Sequence, residues 1–266
     1  MTNHTLRLLA SLGTLAALAA SAASAVTVNF NSSADTYLRG NAGNNNYGAL
    51  NSLLVGNHSS VGPFTGLFRF DLSSLPTSGI TIDSVTLTLF STANGSGTSV
   101  TLSVFQLAAA NANWLEGTSN DTTPGAPGAA TWGNLNYNSA NPGNPTPWAG
   151  SPGARTAGTD YINTSLASFT GNASTIGTGA MAFTSTGSFS STVLGSAGGQ
   201  LNLWIGIPTV VLANDFFRIA SKETTGTNRD PLLSVNYTAV PEPSAFAALA
   251  GLGALGLVTL RRRRRA

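Results

Sequence analysis

Four stretches of this chain alternate apolar and polar residues with a period of two. SVTLTLF (84–90) sets Val85, Leu87 and Leu89 on one face with threonines between them, and SVTLSVFQL (99–107) repeats the pattern with Val100, Leu102 and Val104. LNLWIGI (201–207) presents Leu201, Leu203, Ile205 and Ile207 on one side, with Asn202 and Trp204 on the other, and LLSVNY (232–237) presents Leu233, Val235 and Tyr237. Successive side chains of a strand point to opposite faces, so this alternation is the signature of half-buried strands. Shorter runs, VTVNF, SLLVG and GLFRF, add strands near the start, and NGSG at 94–97 reads as a hairpin turn between two of the alternating runs. Strands with one apolar face bury it by packing sheet against sheet. The expected fold is all-β, an antiparallel β-sandwich of jelly-roll type spanning residues 26–239.

Between about residues 117 and 160 the pattern stops, and NDTTPGAPGAA and NSANPGNPTPWAGSPGA are dense in Pro, Gly and Asn. An insertion of this length is expected either to serve function or to move.

The two ends differ from the middle. At the start, Arg7 precedes an apolar stretch from Leu8 to Ala20 and a small-residue pattern, Ala23-Ser24-Ala25. This is the layout of a secretory signal peptide over residues 1–25, with Ala23 and Ala25 marking the cleavage site. At the other end, Ala245–Leu260 carries no charge and is followed by Arg261, Arg262, Arg263, Arg264 and Arg265. The run is expected to form a short transmembrane helix whose arginines stay on the cytoplasmic side.

Val240-Pro241-Glu242-Pro243, an apolar helix and a terminal arginine cluster, in that order, resemble the PEP-CTERM sorting signal of Gram-negative bacteria. The resemblance implies processing by an exosortase, with Pro241, Glu242 and Pro243 as recognition residues. It also implies transient anchoring in the inner membrane before the protein reaches the cell surface or the extracellular space. A second resemblance runs through the middle. ADTYLRGNAGNNNYGALNSLLVG, GLFRFDLSSLP, NWLEG, ATWGNL and FRIASKETTGTNRDPLLSVNY together resemble a DNRLRE-type, disaggregatase-related domain. That resemblance implies a β-sandwich related to carbohydrate-binding modules. The function that the sorting-signal resemblance implies is a non-catalytic surface or matrix protein associated with exopolysaccharide and biofilm. The alternatives are a dedicated carbohydrate-binding module with a defined ligand, and a polysaccharide hydrolase or lyase.

Charge narrows the partners. Six of the twelve Lys and Arg residues lie in the terminal segments, leaving six basic residues against nine acidic ones once Glu242 is set aside, a net charge near −3. A domain of this sign is not built to bind nucleic acid. A polyanionic polysaccharide would need Arg39, Arg69, Arg155, Lys222 and Arg229 on one face, or a bridging calcium ion. There is no cysteine, hence no thiolate nucleophile and no Cys-based zinc site.

Candidate chemistry is sparse. His58 is the one histidine outside the signal segment, set in a polar stretch expected to be a surface loop, so no Ser-His-Asp triad is expected and no catalytic residue is assigned. Asp35, Asp71, Glu116 and Glu223 are the carboxylates that fall in the family-like segments. Of these, Asp35, Asp71 and Glu223 are candidates to hold calcium, a hard cation that seeks oxygen ligands. The alternative is that they bond turns or pair with Arg69 and Arg218. The amides of GNAGNNNYG are candidates to meet sugar hydroxyls. Trp148, within the insertion, and Trp204, opposite the apolar face of its strand, are candidates to stack on sugar rings.

Overall fold

In the computed structural model, the described residues are 24–92, 95, 97–124, 128–209, 214–226, 228–240 and, near the C-terminus, 253, 256, 261 and 262. The signal-peptide reading, apart from Ser24 and Ala25, falls outside these residues. So do Pro241, Glu242, Pro243, Arg263 to Arg265 and nearly all of the 245–260 helix. Arg261 and Arg262 are helical and exposed. No helix among the described residues is long and apolar enough to cross a membrane.

Twelve strands follow in chain order: β1 (Ala25–Arg39), β2 (Ser52–His58), β3 (Gly62–Asp71), β4 (Ile80–Phe90), β5 (Ser99–Gln106), β6 (Asn134–Asn136), β7 (Thr146–Pro147), β8 (Ala167–Asn172), β9 (Ala180–Ser185), β10 (Gln200–Gly206), β11 (Asp215–Ala220) and β12 (Leu232–Ala239). A 3-10 turn at Ala109–Asn111 and two short helices, α1 (Ala173–Ile176) and α2 (Gly187–Gly195), complete the regular structure. The main sheet runs β1-β12-β4-β9-β8-β5-β10-β3-β2-β11, and a further β1–β3 pairing closes eight of these strands into a ring. The all-β, antiparallel expectation holds, and each alternating stretch lies in or across a strand.

The hairpin expected at 94–97 is corrected. β4 pairs with β9 (Leu87 opposite Phe183) and β5 with β8 and β10 (Leu102 opposite Phe169, Ile205 opposite Val104), so β4 and β5 are not neighbours. Local turn chemistry suggested contact between consecutive strands, but β8 and β9, from later in the chain, intervene between them.

The chain divides into a large unit, Thr27–Thr77 with Ile82–Asn236, and a small one, residues 1–26, 78–81 and 237–266. Among the described residues of the small unit, the Val240 N–H donates to the Gly79 carbonyl at 2.8 Å.

Within the large unit, β10 is buried on both faces, and register explains how. Leu201, Leu203 and Ile205 oppose Phe70, Phe68 and Gly66 and look into the ring, whereas Asn202 and Trp204 oppose Arg69 and Leu67 on the outside. That outer face is covered by a second core, in which Ala34, Leu38, Leu67, Phe105 and Trp204 from the sheet meet Trp114, Ala130, Leu135, Trp148, Ala154 and Tyr161. The Pro/Gly/Asn-rich insertion is therefore a packed layer. Asp160, fully buried, holds it together: its carboxylate accepts from the N–H groups of Gly150 (2.8 Å), Ser151 (2.9 Å) and Thr156 (2.8 Å) and from the Asn111 amide (2.9 Å).

Candidate functional site

Three distant parts of the large unit converge on one group of charges. β1 brings Asp35, the segment after the 3-10 turn brings Glu116, and the loop after β11 brings Lys222 and Glu223. One carboxylate oxygen from each of Asp35, Glu116 and Glu223 lies within 4.8 Å of the others.

Each residue is held by its own surroundings. The Asp35 N–H donates to Glu116 Oε1 at 2.7 Å, and Asp35 Oδ2 accepts the backbone N–H of Lys222 at 3.0 Å. Glu116 is placed from both sides. Behind it, Arg69 on β3 donates through Nη2 to the carbonyls of Ala112 (3.0 Å) and Trp114 (2.6 Å), and through Nε to Asn202 Oδ1 at 2.9 Å, which also accepts from the Trp114 indole at 2.9 Å. Ahead of it, Asn46 donates to the carbonyls of Glu116 (2.6 Å) and Ala130 (2.9 Å). Gly117 has φ +78°, and a Cβ there would lie 2.5 Å from that of Ala129, so only glycine fits after Glu116. Glu223 is fixed by its N–H, which donates to Ser221 Oγ at 3.2 Å.

One ammonium serves the cluster. Lys222 Nζ lies 3.1 Å from Glu116 Oε2 and pairs also with Glu223 Oε1. Two buried carboxylate oxygens, Asp35 Oδ1 and Glu223 Oε2, have no hydrogen-bond partner. Asp35 is 0% exposed, and burial, reinforced by the charge of Glu223, pushes its carboxyl up to about 8. Burial likewise raises Glu116. Burial works against the Lys222 charge, but its bonds to Glu223 and Glu116 prevail and raise its pKa.

The structure thus brings together Asp35 and Glu223 and adds Glu116, which the sequence marked only as an acid in a family-like segment. Asp71 is corrected: it is exposed, and its Oδ1 accepts the Ser73 N–H at 2.9 Å, as the cap of a turn. The pairing of acids with Arg69 and Arg218 is not what these arginines do. Arg69 is spent on carbonyls and Asn202, while Arg218 donates to Ser52 Oγ at 3.2 Å. His58, expected in an exposed loop, ends β2 half-buried with its ring 5.5 Å from Phe216, and its Nδ1 accepts the Ser60 N–H at 3.1 Å.

The two tryptophans expected to stack on sugars are corrected as well. Trp204 is 0% exposed, sandwiched by Tyr161 at 4.7 Å and Phe105 at 5.6 Å, and Trp148 is 4% exposed with its indole N–H donating to the Thr131 carbonyl at 3.0 Å. The insertion covers both rings and leaves no free face. Of the amides of GNAGNNNYG expected to meet sugar, that of Asn46 is fully buried and committed to the backbone, Asn45 donates to Asp121, and Asn41 and Asn44 are exposed.

A polar groove does open on the surface of the insertion. Gly128, Asn136, Asn138, Asn141, Asn144 and Thr146 line a cavity of about 420 Å³ with no charged residue in its wall.

Comparison with known families places these features. Residues 26–142 match carbohydrate-binding module family 96. Residues 239–265 match the PEP-CTERM protein-sorting motif, so the chain combines a segment similar to a carbohydrate-binding module with a C-terminal segment similar to a sorting signal. Such a motif marks a protein for export to the cell surface or the extracellular space. No curated protein matches the chain.

Proposed function

We propose that this is an exported, exosortase-sorted surface or matrix protein that associates with extracellular polysaccharide and catalyses no reaction on it. The observation that carries this reading is the presence in one chain of a carbohydrate-binding-module match and a sorting-motif match. Before processing, the segment 245–260 anchors the chain in the inner membrane of a Gram-negative cell, and the exosortase reads Pro241, Glu242 and Pro243. The product belongs to the exopolysaccharide matrix of a biofilm. The strand order supports reading the ring as a jelly roll, with β1, β12, β4 and β9 facing β8, β5, β10 and β3.

The groove of Asn136, Asn138, Asn141 and Asn144 is the binding surface on this reading. Each amide offers a donor and an acceptor side by side, which matches neighbouring sugar hydroxyls. A basic face for a polyanion has less support, because four of the five candidate cations are engaged. Arg39 lies 3.6 Å from Asp121, and Arg155 donates to the Ile207 carbonyl at 2.6 Å, while Arg69 and Lys222 serve the cluster above. Isothermal titration of the purified protein against neutral and acidic polysaccharides, in calcium and then in EDTA, tests the reading. Saturable binding to a hydroxyl-rich polymer that is lost in an Asn141→Ala, Asn144→Ala variant of unchanged thermal stability is expected. Absence of binding to every polymer, or turnover of any of them, would sink it.

A further inference from the structure

We propose that Asp35, Glu116 and Glu223 form a binding site for a single calcium ion, for which the Lys222 ammonium is the resident competitor. The donor set is all oxygen, with neither His nor Cys, which selects a hard cation over zinc or copper. Ligand oxygens bound to one calcium ion at roughly 2.4 Å can lie at most about 4.8 Å apart. The three carboxylates already satisfy that limit, all lying within 4.8 Å of one another. Magnesium, which needs near-ideal octahedral geometry at roughly 2.1 Å, demands a tighter arrangement.

Proximity of acids would not suffice by itself. The independent observation is Asp35: a carboxylate on β1, fully buried, whose Oδ1 has no hydrogen-bond partner although its Oδ2 accepts the Lys222 N–H. Glu223 Oε2 is left in the same condition. Lys222 neutralises Glu116 and the other oxygen of Glu223 and leaves these two atoms unmet. A divalent ion would satisfy both while its charge offsets the repulsion among three acids. The ammonium would swing outward on its flexible stem while the Lys222 backbone N–H keeps Asp35 in place. Such an ion would tie β1, the Glu116 segment and the β11–β12 loop, which are separated by 81 residues at one contact and 187 at another. The site does not depend on the polysaccharide reading.

The test is calcium titration of the full-length protein after EDTA treatment, by calorimetry and by thermal unfolding. One saturable site is expected, with a dissociation constant on the order of 0.1–1 mM as in extracellular calcium modules, and with magnesium weaker. Glu223→Gln, at a half-buried position, should weaken binding about tenfold or more while the ion-free variant still unfolds cooperatively. Lys222→Gln should tighten it, a gain that misfolding cannot mimic. No saturation up to about 10 mM calcium, well beyond that range, would overturn the proposal. So would binding indifferent to Glu223→Gln, or weakened by Lys222→Gln.

Discussion

The guanidinium carbon of Arg69 lies 4.6 Å from the centre of the Trp114 ring, and the same side chain donates to the Trp114 carbonyl. One residue thus grips the face and the backbone of another, and with it the segment that carries Glu116. Lysine supplies a single point charge and cannot span the Ala112 and Trp114 carbonyls together with Asn202. Arg69→Lys should therefore destabilise the protein by about 2–3 kcal/mol and Arg69→Met by about 2–4 kcal/mol, measured by urea denaturation. Asn202→Leu, which orphans the Arg69 and Trp114 donors, should cost a similar amount. The double variant should fall short of the sum, because both residues serve one network.

The Asp160 carboxylate gathers three backbone N–H groups and the Asn111 amide at the base of the insertion. Asp160→Ala should lower stability by about 2–4 kcal/mol, since several buried donors lose their shared acceptor. Cleavage between residues 140 and 160 in limited proteolysis should accelerate more than cleavage elsewhere. Equal protection of variant and wild type would remove Asp160 from this role.

Burial pushes the Tyr37 hydroxyl up to about 12. In the unfolded chain the same group ionises near 10. Between these values the folded state keeps a proton that the unfolded state has lost, so stability is full below about pH 10 and falls as the pH rises toward about 12, by about 2–3 kcal/mol in all. Denaturation midpoints across that window should show the decline, to which the Tyr47 and Tyr161 hydroxyls, also raised by burial, add, and Tyr37→Phe should make it shallower.

Glu242→Ala, or serine in place of Arg261 through Arg265, should cause unprocessed protein to accumulate in a host that has an exosortase. Immunoblotting of membrane and medium fractions reads this directly. Normal release of both variants would refute the sorting role given to these residues.

The strands were legible because a face turned to an apolar interior writes its period into the chain. Val85, Leu87 and Leu89 of β4, and Val100, Leu102 and Val104 of β5, are all buried as their alternation requires. What covers the other face is not written there. Trp204 looked like an outward residue, and it does point outward from the ring, but Tyr161 and the insertion lie over it. The site was half legible for the same reason. Asp35 and Glu223 were marked by their segments, but nothing local connects NWLEG to either, and Glu116 reaches them through Arg69, Asn202 and Asn46. Asp71 was marked by its segment as well, but there its carboxylate bonds the Ser73 N–H of a turn.

The double burial of β10 changes what keeps that strand in place. For a strand with one wet face, a slip of a single residue is resisted by water, because it would turn the apolar set outward. On β10 the same slip would exchange the tenants of two dry compartments, sending Trp204 and Asn202 where Leu203 and Leu201 now stand. Discrimination there is by shape and by the one amide with waiting partners, not by solvation. Alignment of this strand is consequently a matter of fit, and small changes in side-chain volume should disturb it more than changes in polarity at its neighbours' exposed positions.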